Sequence, residues 1–537
     1  MPDIIFMILQ MVYTAISTEN SGRLGAFAGL ATTSSTISEA VLQLLWKQLS
    51  SVEPLIYLLP EDLIYIHKHS DGGFELRFLR LFKPSDLARF YSYACRVKVI
   101  CPQKKALRSP YKHVFQSLLA LHGRIRSSDS SLLPFLSHVE VKHKRDSLIQ
   151  CLDRLLHPGL TTLKLPPHML FPPDIQNLLP HLQNLVYIAN SSETRTVLNS
   201  LSHSLPIRHL TLSYVEPAVM TSIASLRCLT FLTLVIIPGS SSMKPTSLIP
   251  NHRIRTEILQ IQVESDERPP ILDHPMAASA DMGFPAIISL LSNHPITMHG
   301  LIINVHQEYY SADVILHFFD ALTSLRRTDD DDEDASPPWE DLVGLKMEMP
   351  WEEGLFVSDE SILQIPRDGL AALHALVYLT ELQLMDLGTC RIDDDALLNL
   401  ASSLPYLQHL FLGTRQFWEE TPRATLWGVS HILSYCHDLQ KLGLLFYCSL
   451  GQHLLESAAR NTHITKLYVG FSPPHSPITV AAFFAHSLPN LDTIEVEPRQ
   501  SHRKHAHSRT DLTLSDRDAR ILEWDRILEL TREFEEL

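Results

Sequence analysis

A short apolar motif that recurs along most of the chain predicts an α/β solenoid, in which parallel strands alternate with covering helices. The motif is apolar-x-x-apolar-x-apolar, and it occurs thirteen times between residues 136 and 496. Successive copies begin 22 to 44 residues apart, and both ends of the series stay near the period of about 20 to 29 residues typical of leucine-rich repeats. The fold class we predict is therefore α/β: a short N-terminal helical module followed by an irregular leucine-rich-repeat solenoid.

The motif predicts a strand because its last two apolar positions alternate and so point to the same face. One such strand and its helix cannot bury an apolar face alone, so the units must stack. The copies are Leu136/Val139/Val141, Leu160/Leu163/Leu165, Leu182/Leu185/Tyr187, Ile207/Leu210/Leu212, Leu229/Leu232/Leu234, Ile258/Ile261/Val263, Met298/Leu301/Ile303, Leu342/Leu345/Met347, Leu379/Leu382/Leu384, Leu407/Leu410/Leu412, Leu439/Leu442/Leu444, Ile464/Leu467/Val469 and Leu491/Ile494/Val496.

Residues 392–412 contain one complete unit. Asp393 or Asp394 can cap a helix, and apolar residues then recur at helical spacing as far as Leu404. Pro405 follows this helix, and the next strand motif begins at Leu407. An α/β protein with buried strands would also show apolar runs, so a non-repetitive sheet is the alternative.

Changes in composition divide the chain into five parts. We predict a helical module over 1–49, a helical connector over 50–84, the solenoid over 85–497, a basic linker over 498–514 and a C-terminal capping helix over 515–537. Within the solenoid we expect loop insertions near 239–283 and 326–341, the second of which contains six consecutive acidic residues from Asp329 to Asp334. The capping helix carries an apolar stripe of Ile521, Leu522, Trp524, Ile527, Leu528 and Phe534.

Composition excludes several classes of function. The formal charge is −15, from 45 Lys+Arg and 60 Asp+Glu, which disfavours a nucleic-acid-binding surface. The seven Cys include no C-x-x-C pair, so we expect a reducing compartment, either cytoplasmic or nuclear. The apolar stretch Ile4–Ile16 is too short to span a membrane. It imitates a signal-peptide core, but Asp3 stands where a basic flank is expected, so we interpret it as a buried helix.

Catalytic and metal-binding patterns are weak in this sequence. There is no P-loop, G-x-G-x-x-G, H-E-x-x-H or G-x-S-x-G motif. The 28 His cluster most densely at His67/His69 and at His502/His505/His507, without the Cys or carboxylate partners typical of zinc sites. We therefore expect no catalytic residues, no cofactor and no metal, and we predict that the protein is not an enzyme.

The N-terminal residues resemble an F-box. The order is P-D-x-I in residues 2–5, a Leu/Ala-rich segment, and then A-V-L-Q-L-L-W-K-Q-L in residues 40–49. A leucine-rich stretch over 52–60 and the segment Ser85–Val97 are similar to those that follow the F-box in proteins abundant in mushroom-forming fungi. Because degenerate leucine-rich repeats fill the rest of such proteins, the resemblance covers nearly the whole chain.

That resemblance implies a function. The chain would be the substrate-recognition subunit of a Skp–cullin–F-box ubiquitin ligase, with the repeats binding an unknown protein substrate and no role for nucleic acid or membrane. The implied adaptor-binding residues are Pro2, Ile4, Ile5, Ile8, Leu9, Leu24 and Trp46, although some of these must form the module's own core. Three glycines between Gly22 and Gly29 weaken a helix there. The alternative is therefore a leucine-rich-repeat interaction scaffold with a degenerate F-box that binds no adaptor.

Overall fold

The chain forms two compact units in the computed structural model. The first comprises Met1–Leu212 and Leu226–Cys228, and the second comprises Ser213–Ser225 and Leu229–Leu537. The structure describes residues 9, 29–32, 35–68, 74–80, 83–101, 131–141, 155–165, 179–188, 206–213, 217–236, 254–263, 287–288, 291, 296–305, 312–324, 342–348, 365–415, 421–449, 459–497 and 514–536. The predicted loops at 239–253, 264–283 and 326–341 and the basic linker up to residue 513 lie outside these ranges.

The first unit contains short parallel strands joined by helices and loops. Its described elements are α1 (Ser35–Lys47), β1 (Gln48–Leu49), α2 (Glu53–Ile56), β2 (Ile64–Lys68), β3 (Phe74–Phe78), a 3₁₀ turn (Pro84–Leu87), α3 (Ala88–Ala94), β4 (Val99–Ile100), β5 (His138–Glu140), β6 (Thr162–Leu165), β7 (Asn184–Ile188) and β8 (His209–Ser213). Strand β1 pairs in parallel with β4, and β4 to β7 then pair in sequence order.

Two of the predicted boundaries in this unit are wrong. The segment 50–84 is not a helical connector, because only α2 is helical and β2 and β3 form an antiparallel hairpin. The alternating Ile64-Tyr65-Ile66 run has the two-residue period of a strand, which explains the hairpin. The break at residue 49 also fails, since β1 is the first strand of the parallel sheet and Cys101 N donates to Leu49 O at 2.9 Å. Helix α1 and β1 are thus continuous with the repeats.

The second unit repeats the strand–helix layout. Its described elements are α4 (Pro217–Ala224), β9 (Phe231–Ile236), β10 (Ile254–Val263), β11 (Ile296–Val305), α5 (Ala312–Ser324), β12 (Gly344–Glu348), a 3₁₀ turn (Ala371–Ala375), β13 (Glu381–Leu384), α6 (Asp394–Ser403), β14 (His409–Leu412), α7 (Leu426–Tyr435), β15 (Lys441–Leu444), β16 (Lys466–Gly470), α8 (Pro477–Ser487), β17 (Thr493–Val496) and α9 (Leu514–Glu536). Strands β9 to β17 are all parallel and follow sequence order.

The apolar motif forms the core, which confirms the predicted α/β repeat architecture. In β14, for example, Leu407, Leu410 and Leu412 are each at most 1% exposed. Leu382, Leu410 and Leu442 lie opposite one another on adjacent strands, so the equivalent leucines stack from repeat to repeat. Each such stack stabilises the fold by about 25 cal/mol for every Å² of apolar surface that it removes from water.

The predicted motif positions in β10 are shifted by two residues from the observed register. In β10 the residue opposite Leu232 is Leu259, not Ile261, and Thr256 rather than Ile258 takes the first motif position. Ile258 therefore lies on the opposite face of the sheet, in register with Phe231. The sequence was ambiguous here because apolar residues occupy both faces of this ten-residue strand.

A turn that begins three residues before the first motif position precedes seven of the strands. The first-position N–H donates to a carbonyl three residues earlier at 3.0–3.2 Å, as between Leu407 and Leu404 and between Leu439 and Cys436. Buried residues hold this earlier position in most repeats. Asn461 takes the place instead in the β16 repeat, where its Oδ1 accepts from Ile464 N at 3.0 Å and its Nδ2 donates to Leu439 O at 3.0 Å.

Helix α9 covers the last repeat. Trp524 is fully buried, with its ring centroid 6.1 Å from that of Phe446 and 6.5 Å from that of Phe484. Its indole Nε1 donates to Ser472 O at 3.2 Å. The predicted stripe is only partly buried, because Leu522 is 65% and Phe534 37% exposed.

Candidate functional site

The side chains between the core positions of β10 to β17 form a second face of the sheet, which we call the strand face. The register of the strands places these residues in rows. One row runs through Ile258, Gly300, Gly344, Glu381, His409, Lys441 and Lys466. The next row runs through Gln383, Phe411, Gly443, Tyr468 and Glu495. Because the helices cover the core face of the sheet, a ligand can contact the strands only through these rows.

An aromatic pair is held in the second row by a glycine. The rings of Phe411 and Tyr468 have centroids 5.0 Å apart, although β15 lies between their strands. Gly443 allows this contact, because a Cβ there would collide with the ring of Phe411. The pair fixes a semi-apolar surface in the middle of the strand face.

Two lysines stand directly opposite each other in the first row. Lys441 is in register with Lys466, and Lys466 Nζ lies 3.5 Å from Glu495 Oε1. Like charges in such positions destabilise a sheet slightly, and a nearby anion relieves the repulsion. The first row is therefore acidic at Glu381 and basic two strands further along.

Ionic contacts join several strands at their C-terminal ends. Arg415 Nη1 lies 3.7 Å from Glu348 Oε1 and 4.0 Å from Asp386 Oδ2, and Lys346 Nζ lies 2.9 Å from Glu348 Oε1. Burial raises the pKa of Glu497 above its ordinary value, against the opposing effect of Arg415. This network ties the C-terminal ends of β12, β13 and β14 together.

A pocket opens at the N-terminal ends of β12 and β13 and beside the N-terminal halves of β10 and β11. It has a volume of about 470 Å³ and is lined by Glu257, Ile258, His299, Gly300, Val343, Gly344, Thr380 and Glu381. The two glycines are neighbours in register, so no side chain fills the centre. The volume falls within the range of small-molecule and side-chain binding pockets.

A group of exposed apolar side chains includes the pocket residue Val343 and also Tyr378, which lies two residues before the lining residue Thr380. Val343 is 36% exposed, and Val377, Tyr378, Tyr406 and Tyr435 are each between 44% and 52% exposed. The rings of Tyr378 and Tyr406 stack with centroids 6.1 Å apart and interplanar angle 14°. We call these five residues the edge patch, and Val343 belongs both to it and to the pocket lining. Grouped exposed aromatics of this kind are typical of protein-binding surfaces.

Two of the seven implied adaptor-binding residues lie among the described residues. Leu9 is 9% exposed and packs in a small cluster with Val41 and Leu44, so it belongs to the module's own core. Trp46 is half-buried, and its ring centroid lies 4.7 Å from that of Tyr93. Pro2, Ile4, Ile5, Ile8 and Leu24 lie outside the described residues.

The pocket and the edge patch were missed by reasoning from the sequence. The patch residues Tyr378 and Tyr406 each directly precede a first motif position, and Gly300 and Gly344 each directly precede a second one. Aligning the thirteen copies column by column would have shown these shared positions. The apolar motif identifies the core positions only and carries no information about the positions that face a ligand.

Two further features concern only the part of the chain that the structure describes. No group of three His, Cys, Asp or Glu side chains there is placed to hold a metal ion. No described helix combines the length and the apolar character needed to cross a bilayer.

Comparisons with known proteins give distant structural likenesses, and neither a family nor a curated relative. No protein-family model matches the chain. No curated protein matches it either. Among solved structures, it is similar to a chain in the crystal structure of the TLR13–ssRNA13 complex, with 13% identity and a TM-score of 0.25. The likeness covers 68% of this chain and 54% of that one, so it spans about half the length of that chain. The class of protein that the strands and helices define is an α/β repeat protein with a long parallel sheet.

Proposed function

We propose that this protein is a non-enzymatic binding subunit that holds a protein ligand on the edge patch and the adjoining strand face. The observation that carries the proposal is the stacked pair Tyr378 and Tyr406, each about half exposed beside an open pocket. Buried tyrosines supply much of the binding energy in protein interfaces at low entropic cost. Two exposed, stacked tyrosines contribute little to the stability of a monomer. Their exposure therefore favours a role in binding.

The more specific proposal is that the subunit serves a Skp–cullin–F-box ubiquitin ligase. Its support is the F-box resemblance of residues 2–49 and of the segment Ser85–Val97. In that role a Skp-type adaptor binds the N-terminal helices, a cullin joins through the adaptor, and ubiquitin transfer occurs on a partner-bound conjugating enzyme. Among the candidate adaptor contacts, Leu9 packs in the module's own core and Trp46 contacts Tyr93.

One experiment separates the ligase role from a scaffold role. Full-length protein is mixed with a recombinant Skp-type adaptor, and complex formation is measured by isothermal titration calorimetry. The ligase proposal requires saturable binding with a stoichiometry of one to one. Absence of binding by a folded chain favours the alternative, a repeat scaffold whose F-box is degenerate.

A second experiment tests ligand binding by the edge patch. The double variant Tyr378→Ala/Tyr406→Ala is compared with wild type for proteins captured from cells whose proteasome is inhibited. We expect the double variant to lose the specific ligand while the control Leu522→Ala, an exposed apolar residue on α9, retains it. Equal capture by all three proteins would contradict the proposed surface.

A further inference from the structure

We propose that the pocket between β10 and β13 binds the side chain of a lysine or arginine from the protein ligand. This inference deepens the proposed function, because the pocket adjoins the edge patch through Val343. It assigns a chemical class to one contact of that ligand, namely a cationic side chain with an aliphatic stem.

The floor of the pocket has room for that stem. Gly300 and Gly344 face each other across β11 and β12, between Ile258 on one side and Glu381 on the other. A Cβ added to Gly300 would lie 3.6 Å from Ile258 Cγ1, and one added to Gly344 would lie 3.8 Å from Glu381 Oε2. These are ordinary van der Waals separations, so methylene groups fit where the glycines leave space. Ile258 and Val343 supply apolar surface along the walls.

The charge of the pocket selects a cation. Glu257 and Glu381 stand at its two sides. Glu381 Oε1 accepts a hydrogen bond from Gln383 and lies 3.7 Å from His409 Nδ1, whereas Oε2 is directed toward Gly344 and the pocket. Within the described ranges, neither glutamate forms an ion pair with a Lys or Arg of this chain. A ligand cation would supply the ion pair that these two carboxylates do not form with the described Lys and Arg residues.

Other side chains fit this arrangement less well. An acidic side chain would meet two carboxylates of like charge, and a purely apolar one would displace water from Glu381 Oε2 without replacing the hydrogen bonds. Lysine and arginine combine an apolar stem with a charged end that donates hydrogen bonds. The stem matches the glycines and the isoleucine of the pocket floor, and the charged end matches the carboxylates at its sides.

The test uses small probes, so it does not depend on identifying the ligand. Full-length protein labelled at isoleucine δ1 methyl groups is titrated at pH 8 with Nα-acetyl-arginine amide, Nα-acetyl-lysine amide and Nα-acetyl-norleucine amide. The signal of Ile258, assigned with Ile258→Val, reports on the pocket, and that of Ile302 reports on the strand face outside it.

We expect both cationic probes to shift the Ile258 signal in a saturable way, with affinity about three- to tenfold higher than the norleucine probe. Glu381→Gln should remove that preference with little change in shape, and Gly344→Val should abolish binding by filling the floor. Glu348→Gln, which removes a carboxylate from the same strand face outside the pocket, should leave binding unchanged.

Two results would overturn the assignment: no saturable shift with either cation, or equal shifts with norleucine. If Gly344→Val failed to fold, Glu381→Gln would still decide, since it keeps the size of the side chain. Failure of the proposed function has a different signature, because it appears in the capture experiment with Tyr378→Ala/Tyr406→Ala and not in these titrations.

Discussion

Asp394 caps the helix of the following repeat through Thr425. Its Oδ1 accepts from Thr425 N at 2.6 Å and from Gly428 N at 2.9 Å, and its Oδ2 accepts from Thr425 Oγ1 at 2.7 Å. The neighbouring Asp393 caps the helix of its own repeat, since its Oδ1 accepts from Ala396 N at 3.0 Å. The two successive aspartates therefore satisfy the first turns of both α6 and α7, and they fix the spacing between the two repeats.

Replacing Asp394 with alanine should destabilise the second unit by roughly 2–3 kcal/mol, because three hydrogen bonds to a carboxylate are lost and two helix N–H groups lose their acceptor. Urea unfolding followed by tryptophan fluorescence measures the change. The matched control is Asp395→Ala, whose side chain is 75% exposed and pairs with Arg367. That variant should stay within about 0.5 kcal/mol of wild type. Equal losses for the two variants would show that the link between repeats contributes nothing.

Substitution of a core leucine should be far more damaging than substitution of its neighbour in the same strand. Leu410 is 1% exposed, while His409 lies on the strand face. Leu410→Asp places a carboxyl group in the stacked core at a cost of several kcal/mol, and His409→Asn should change stability by about 0.5 kcal/mol or less. Circular-dichroism melts of both variants provide the comparison. Similar midpoints would contradict the inward orientation of Leu410.

The C-terminal helix should depend on one tryptophan. Trp524→Ala removes a buried ring that packs on Phe446 and Phe484, and such truncations cost about 3–5 kcal/mol. Leu522→Ala, at a 65% exposed position two residues away, should have almost no effect. Hydrogen exchange over 514–536 measures the change directly. Rapid exchange in wild type, equal to that of Trp524→Ala, would mean that α9 does not cover the last repeat.

These residues also show how far the sequence alone could predict the structure. Leu410 was placed correctly, because a stacked core imposes a fixed spacing on apolar residues. The stripe on α9 was too wide, since helical spacing identifies a side of a helix but not the width of the groove that receives it. Asp393 or Asp394 was expected to cap α6, and Asp393 does so. Asp394 instead binds Thr425, which lies 31 residues away and which local spacing cannot reveal.

The candidate site was less predictable than the core. Ligand-facing positions such as Gly344 and Tyr378 obey no hydropathy rule, because solvent accepts almost any residue there. The hairpin at 64–78 was not predicted either, because this insertion does not contain the repeated apolar motif.

Exposed cysteines should be alkylated much faster than buried ones. Burial raises the pKa of Cys436 and Cys448 to about 12, so their thiolate fraction at pH 8 is very small. Cys95 and Cys228 are exposed. Iodoacetamide at pH 8 should alkylate these two at least about a hundredfold faster than Cys436 and Cys448, as measured by peptide mass spectrometry. In 8 M urea the difference should vanish, and rapid native labelling of Cys436 would contradict its burial.

The first unit should lose stability in mild acid because of His157. This side chain is 8% exposed and takes the position that Leu133 and Leu179 take in neighbouring repeats. Burial lowers the pKa of His157, against a weaker opposing hydrogen bond with the Leu136 backbone. The folded state therefore binds fewer protons than the unfolded state, in which the pKa is about 6.5. The stability that neutral His157 contributes is present above that value and is lost as the pH falls below it.

His157→Leu should remove this part of the acid sensitivity. Leucine cannot be protonated, and it matches the equivalent residues of the adjoining repeats, although the hydrogen bond from Gly159 N to His157 Nδ1 at 3.0 Å is lost. Urea midpoints are measured at pH 7.5 and pH 5.5 for both proteins. We expect the drop between the two pH values to be smaller in the variant, and the remainder to come from groups such as His138, whose pKa burial also lowers. Phe135→Leu, at a 60% exposed position of the same unit, is the control and should keep the wild-type drop. An unchanged drop in His157→Leu would show that this histidine is as easily protonated in the folded chain as in the unfolded one.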